Sequence, residues 1–319
     1  MKDELHVVFG SGQVGSSLAE RLLGEGYRVR VVRRSEKGVP VGSELFRGDA
    51  TNAVACRAAT EGAATVYHCM NPPYSARVWA DLVPRFMKNL IEAAGGTGAR
   101  LVVLDNVYSL GRPNGKPLSE DSPVNPCSRK GEIRAVAAAM LFEADARREV
   151  RGTIGRGSDF YGPRGTASHL GDQFWPSVIA GKSGRVVVDP DAVHTYHYIP
   201  DVARGLMVLG TAPDDAFGRA WMLPCHPVET LRQLLHRLSE AYGRDIPLTR
   251  MPRWMLKTFG FAAPILRELE EMMYQWEEPF IIDDRRFRER FSVRPEDPHT
   301  AAQETVKWAR QWYGGEARR

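Results

Sequence analysis

An α/β fold built on a doubly wound parallel sheet, followed by a smaller mixed lobe, is predicted by three observations. Short apolar runs alternate with amphipathic stretches through the first half of the chain. The runs are almost wholly apolar, as strands covered on both faces are. A glycine-rich turn joins the first run to the first amphipathic stretch.

Residues 5–9 read as a buried strand. Val14, Leu18, Leu22 and Leu23 recur at helical spacing over 14–24, and Gly24 and Gly26 end that helix. Tyr27 to Val32 forms a second strand, a third-strand region precedes Gly48, and Thr65–Cys69 and Leu101–Leu104 form two more. Residues 78–94 and 131–149 carry helical periodicity. After about residue 160 the chain gains Trp, Pro and Met. There, 170–180, 227–242 and 252–275 read as helices, and Val186-Val187-Val188 and Tyr196–Ile199 as short strands. The expected division is a nucleotide-binding domain, 1–165, and a substrate-binding lobe, 166–319, packed on it and partly interleaved with it. No internal repeat or flexible linker composition is present.

The 319 residues are 43% hydrophobic and 26% charged, an ordinary soluble composition. A net charge of +4 without a Lys/Arg block does not imply nucleic acid, and no nucleic-acid partner is expected. The apolar runs fall short of the ~20 residues that span a bilayer, so no membrane association is expected. Cys56, Cys69, Cys127 and Cys225 have no CxxC spacing, and no signal peptide opens the chain, so a reduced, cytoplasmic setting is expected.

Gly10-Ser11-Gly12-Gln13-Val14-Gly15 follows a strand and opens a helix, the context that makes this pattern a Rossmann-type dinucleotide-binding turn. Gly10 permits the tight turn, Gly12 the backbone's approach to a pyrophosphate, and Gly15 the packing of helix on strand. The helix N-terminus offers free N–H groups to the phosphates. Where an NAD site carries an acidic residue for the ribose hydroxyls, this chain has Arg33-Arg34. Two guanidiniums suit a 2′-phosphate, so NADP(H) is expected over NAD(H); an ordinary solvated turn is the alternative. Gly48-Asp49-Ala50 follows the third strand. Asp49 is expected to accept the adenine amino group, to cap the helix after Thr51, or both. Cys69-Met70-Asn71 ends the fourth strand and should pass the cofactor ribose, with Tyr74 reaching towards substrate.

These segments, with Leu101-to-Gly111, Arg156-Gly157-Ser158-Asp159-Phe160-Tyr161-Gly162-Pro163 and Tyr198-Ile199-Pro200-Asp201-Val202-Ala203, resemble the extended or atypical short-chain dehydrogenase/reductases, more narrowly the NAD-dependent epimerase/dehydratase family. The resemblance spans nearly the whole chain and implies a Ser/Thr, a Tyr and a Lys as the catalytic set. No Tyr here is followed four residues later by Lys. Counting back from Gly111 and forward from Pro126, the three positions hold Asn106, Lys130 and Arg134.

Arg134 lies one helical turn beyond Lys130. It could hold the nicotinamide ribose as the family Lys does. A neighbouring positive charge and burial would each disfavour a protonated Lys130, tuning it for proton transfer near neutral pH. The plainer reading is that both residues only bind cofactor or form a solvated helix face. Asp105 and Tyr108 flank Asn106, and Asp159 and Tyr161 are expected at the end of the sixth strand. All four are further proton-donor candidates, with helix caps and interface aromatics as the plainer roles.

His194 and His197, three apart, should face opposite sides of a strand, and no metal is expected. Trp254, Met255, Phe259, Phe261, Ile265, Leu269, Met272, Met273 and Trp276 form a helical stripe that lines either core or an apolar pocket. The leading expectation is an NADP(H)-dependent oxidoreductase acting on a small-molecule carbonyl or alcohol, as a monomer or homodimer. The alternatives are a nucleotide-sugar epimerase or dehydratase and a non-catalytic NADP(H) sensor or scaffold.

Overall fold

A computed structural model describes residues 2–36, 38–251 and 264–315. Seven parallel strands form one sheet: β1 (Leu5–Phe9), β2 (Arg28–Arg33), β3 (Glu44–Arg47), β4 (Ala63–His68), β5 (Arg100–Asp105), β6 (Arg151–Arg156) and a last strand, Ala220–Met222. Across the sheet the last strand is followed by β6, β5, β4, β1, β2 and β3, so the order reverses between β1 and β4. Ligands of such sheets bind beyond the strands' carboxyl ends at that reversal.

Side chains alternate across the sheet. Val7, Val66, Leu101, Val103 and Ile154 share one core with α2 (Ala53–Thr60), α3 (Ala76–Thr97) and α4 (Arg129–Ala146). Val8, Val31, Tyr67 and Val102 face the other way, against α1 (Gln13–Gly24) and α6 (Ile199–Gly210). Residues 199–222 thus complete the half that carries the seven-stranded sheet, through α6 and the last sheet strand. A third core lies in the C-terminal half around Trp175, Tyr198, Leu234, Phe280 and Val306.

Several expectations are corrected. The helix expected at 170–180 shortens to α5 (Trp175–Ile179). A Cβ on Gly171 would stand 2.2 Å from the Thr166 carbonyl oxygen, so this segment folds back on itself instead. The expected 227–242 helix is α7 (Leu231–Tyr242), because Thr230 and Gln233 form a reciprocal capping box. Residues 252–263 of the expected 252–275 helix, with Trp254, Met255, Phe259 and Phe261, lie outside the described residues. The remainder is two short helices, α8 (Pro264–Glu270) and α9 (Tyr274–Glu277), separated by a turn. Asp49 does not cap α2. Asn52 does, accepting from the Val54 and Ala55 N–H groups, while Asp49 binds Thr51 N–H and hydroxyl at 2.9 and 2.8 Å. The sixth strand stops at Arg156, and Asp159–Tyr161 form a separate strand, β7, paired with β8 (Tyr196–Tyr198).

Candidate active site

The glycine turn packs tightly against α1 and leaves the start of that helix open. A Cβ on Gly15 would lie 1.8 Å from the Gly10 carbonyl oxygen, so α1 sits against the turn as only glycine allows. A Cβ on Gly12 would meet no protein atom within 4 Å, so that position faces open space at the start of α1. Gln13 and Val14 begin the helix there, and Ser16 Oγ binds the Ser11 carbonyl at 2.9 Å. These residues fit a pyrophosphate above the helix N-terminus.

At the end of β2, half-buried Arg33 reaches back to this turn, donating from Nη1 to Ser11 Oγ at 2.8 Å and from Nη2 to Ser35 Oγ at 3.3 Å. Arg34 is exposed, 3.9 Å from Asp49 Oδ2. The Thr51 backbone N–H bound to Asp49 holds its carboxyl below the usual carboxylate range. Ala50 is buried, and its carbonyl accepts from Asn89.

Beyond β4 the chain turns through Cys69, Met70 and Asn71. A Cβ on Gly10 would meet Met70 Cγ at 2.7 Å and Cys69 O at 3.1 Å, which places this turn against the glycine turn. Burial raises the Cys69 thiol to about 12, so it stays protonated at neutral pH. His68, also buried, is lowered to about 3, and its Nδ1 accepts from the Met70 N–H.

The first two turns of α4 supply the two residues that stand where the Tyr/Lys pair is expected, and neither lies on a solvated face. Lys130 is 0% exposed and Arg134 6%. Arg134 donates to Asn71 Oδ1 at 2.7 Å, lies 3.4 Å from Asp105 Oδ1 and stacks on Trp79 at 4.6 Å. Asp105 also faces Arg156, at 3.9 Å, so it sits between two guanidiniums. Asn106 Oδ1 accepts from the Tyr108 N–H at 3.0 Å, which leaves its amide NH2 to donate elsewhere. Lys130 Nζ does not face Arg134's partners. It lies 2.5 Å from both Glu268 Oε2 and Glu271 Oε1, 3.0 Å from the Glu268 carbonyl oxygen and 4.6 Å from the Tyr74 ring centre.

Tyr74 and Tyr108 bring their hydroxyls within 3.4 Å of each other, beside Trp79. Burial raises Tyr108 to about 12, so it remains a proton-bearing phenol. Asp159 is bound by Trp276 Nε1 at 2.5 Å and lies 2.9 Å from His194 Nε2 and 3.6 Å from His169 Nε2. Burial pushes its carboxyl up, but the two histidines and the indole outweigh burial and hold it below the usual range. Tyr161 stands apart, buried, with its hydroxyl 2.6 Å from His226 Nδ1. His194 and His197 have different partners: the Gln275 carbonyl and Asp159 for the first, Ser158 and the Leu223 carbonyl for the second.

The structure therefore joins Arg134 to Asp105 and Asn71 and Asn106 to Tyr108, sets Lys130 apart against Tyr74, Glu268 and Glu271, places Asp159 on β7, and leaves Tyr161 in the core of the second lobe. It adds Glu268, Glu271 and Gln275, which the sequence reading did not single out, and Trp276, which appeared there only as part of the apolar stripe. Their one sequence signal is a pair of carboxylates three residues apart, Glu268 and Glu271, in the charged run Arg267-Glu268-Leu269-Glu270-Glu271.

A family model described as the NAD dependent epimerase/dehydratase family matches residues 7–222. Among characterised proteins, the mouse sterol-4-alpha-carboxylate 3-dehydrogenase, decarboxylating, is 23% identical over 278 residues, covering 82% of this chain and 74% of that protein. A double mutant of the dTDP-glucose 4,6-dehydratase of Streptomyces venezuelae, solved with NAD, superposes with a TM-score of 0.78 at 18% identity, covering 98% of this chain and 99% of its own. The UDP-glucose 4-epimerase of Thermus thermophilus, also solved with NAD, gives 0.73 at 18%, covering 96% and 99%. At these identities the solved structures establish a shared fold.

Proposed function

The chain belongs to the NAD dependent epimerase/dehydratase family, and from that premise we propose that it is an NADP(H)-dependent oxidoreductase acting on a carbonyl or alcohol of a small organic substrate. One observation carries the reading. Lys130, at the position of the missing phenol, is turned wholly inward against Glu268, Glu271 and the Tyr74 ring. A lysine that served a solvated helix face would not be buried with two carboxylates.

When bound, the reduced nicotinamide supplies the hydride. Arg33 and Arg34 hold the 2′-phosphate, and Asp49 with Ala50 lines the adenine side. Gly10 to Gly15 cradle the pyrophosphate. Arg134, fixed by Asn71, Asp105 and Trp79, binds the nicotinamide ribose alongside Cys69 and Met70. The Asn106 amide donates to the substrate oxygen, and Lys130 Nζ gives that oxygen its proton. Tyr74 and Tyr108 form the aromatic wall beside it.

The test is NADPH oxidation over a panel of carbonyl compounds, with wild type, Lys130→Ala and Lys130→Tyr. Loss of turnover in the alanine variant supports the assignment. Full turnover in both variants removes Lys130 from the chemistry. The family match favours a second reading, a nucleotide-sugar epimerase or dehydratase. That reading requires a retained cofactor and no net NADPH consumption. Cofactor binding without turnover on either panel returns the non-catalytic alternative.

A further inference from the structure

The Lys130 side chain is fully buried, and its ammonium lies against the Tyr74 ring and two carboxylates. Those carboxylates do reach solvent, with side-chain exposures of 20% for Glu268 and 24% for Glu271. The two differ in how they are held. Glu268 Oε2 also accepts the Ala76 N–H at 3.0 Å, at the start of α3, and the Glu268 carbonyl accepts from Lys130. Glu268 is therefore anchored through both backbone and side chain. Glu271 meets Lys130 through one oxygen, Oε1, and sits in the turn after α8.

A buried lysine that has given its proton to a product oxygen must regain one before the next turnover. We propose that Glu271 is the proton port of Lys130, a role that rests on the oxidoreductase reading above, and that Glu268 is the residue that positions the ammonium. In each reductive cycle the hydride reaches the carbonyl carbon and the C=O π pair moves to oxygen. Lys130 Nζ protonates that oxygen and is left a neutral amine. A solvent proton then adds to the Glu271 carboxylate and passes from Oε1 to Nζ, which restores ammonium and carboxylate. Oxidation of an alcohol runs the same path outward. The neutral, isosteric amide of Glu271→Gln keeps a hydrogen-bond acceptor for Lys130 but cannot carry this proton.

The experiment is rapid mixing of enzyme, NADPH and an active carbonyl, following NADPH absorbance through the first and later turnovers. For Glu271→Gln the first turnover should run within about threefold of wild type, since Lys130 begins charged. Later turnovers should slow by about 10²-fold, the low end of the range for a lost proton-transfer group. The trace is then a burst of one NADPH per site. Formate at tens of millimolar should restore the later turnovers, and Glu271→Asp should keep most of them, while NADPH affinity stays unchanged in both. Formate separates this burst from one caused by slow product release. Glu268→Gln should slow first and later turnovers alike. Equal first and later rates in Glu271→Gln, or a burst indifferent to formate, would overturn the port. Absence of NADPH oxidation by wild type, or full activity in Lys130→Ala, would instead overturn the reading beneath it.

Discussion

Replacing Arg33 with alanine should abolish most of the preference for NADPH over NADH. The guanidinium is half-buried and oriented by Ser11 Oγ and Ser35 Oγ, between the glycine turn and the end of β2. A hydrogen bond to a charged group in such a setting contributes about 1.5–3 kcal/mol, or roughly 10- to 150-fold in affinity. Arg34 is 84% exposed, and a screened contact there contributes at most about 1 kcal/mol, roughly fivefold. Arg33→Ala should therefore weaken NADPH by one to two orders of magnitude and leave NADH within about twofold, with Arg34→Ala a minor second. Arg33 also anchors the turn, so NADH is the internal control. A purely structural loss would weaken both cofactors equally. The assay is a titration read by energy transfer from the seven tryptophans to the reduced nicotinamide, repeated at low and high salt. Equal weakening of both cofactors, or an unchanged ratio, would refute the 2′-phosphate assignment.

The glycines predict a contrasting pair. Gly15→Ala drives a Cβ to 1.8 Å from the Gly10 carbonyl oxygen, so it should cost about 1–3 kcal/mol of stability and disrupt cofactor binding. Gly12→Ala meets no protein atom, so urea unfolding should be nearly unchanged while cofactor affinity falls; equal destabilisation by the two would contradict this. Asn52→Ala removes the α2 cap and should lower stability by about 1 kcal/mol with no effect on NADPH binding, checked by paired melts and titrations. Burial lowers His6 to about 4, His68 to about 3 and His197 to about 4. Unfolded, each titrates near 6.5, so below that pH the unfolded chain binds protons that the folded chain refuses. Their stabilisation is complete above pH 6.5 and is lost as pH falls towards 4, at about 1.4 kcal/mol per pH unit for each imidazole. A urea midpoint that stays level between pH 7 and 5 would show that these rings are not held neutral.

The parallel strands and the glycine turn were legible because they depend on local signals. A continuous apolar run such as Leu101–Leu104 is buried on both faces wherever it lies in such a sheet, and Gly10 to Gly15 carry their own geometry. Boundaries set by a side-chain hydrogen bond were less legible. Asn52 rather than Asp49 caps α2, because Asp49, Thr51 and Asn52 are all competent caps and only the path of the chain selects one. The segment Asp159–Tyr161 looked like the end of the sixth strand, yet pairing with Tyr196–Tyr198 makes it a strand of its own.

The sequence by itself determined the family, the parallel sheet, the glycine turn and the absence of a phenol four residues before a lysine. Tertiary structure alone decided what surrounds the residue in the phenol's place. The neighbours of Lys130 lie 138 and 141 positions away, on a short helix and a turn whose spacing resembles any amphipathic stretch. Periodicity reports which face of an element is apolar, not which distant element will cover it. The same chain closure brings Trp276 to Asp159 and Gln275 to His194. Contacts at that separation are set by how layers pack around a shared core, and local composition carries no record of them.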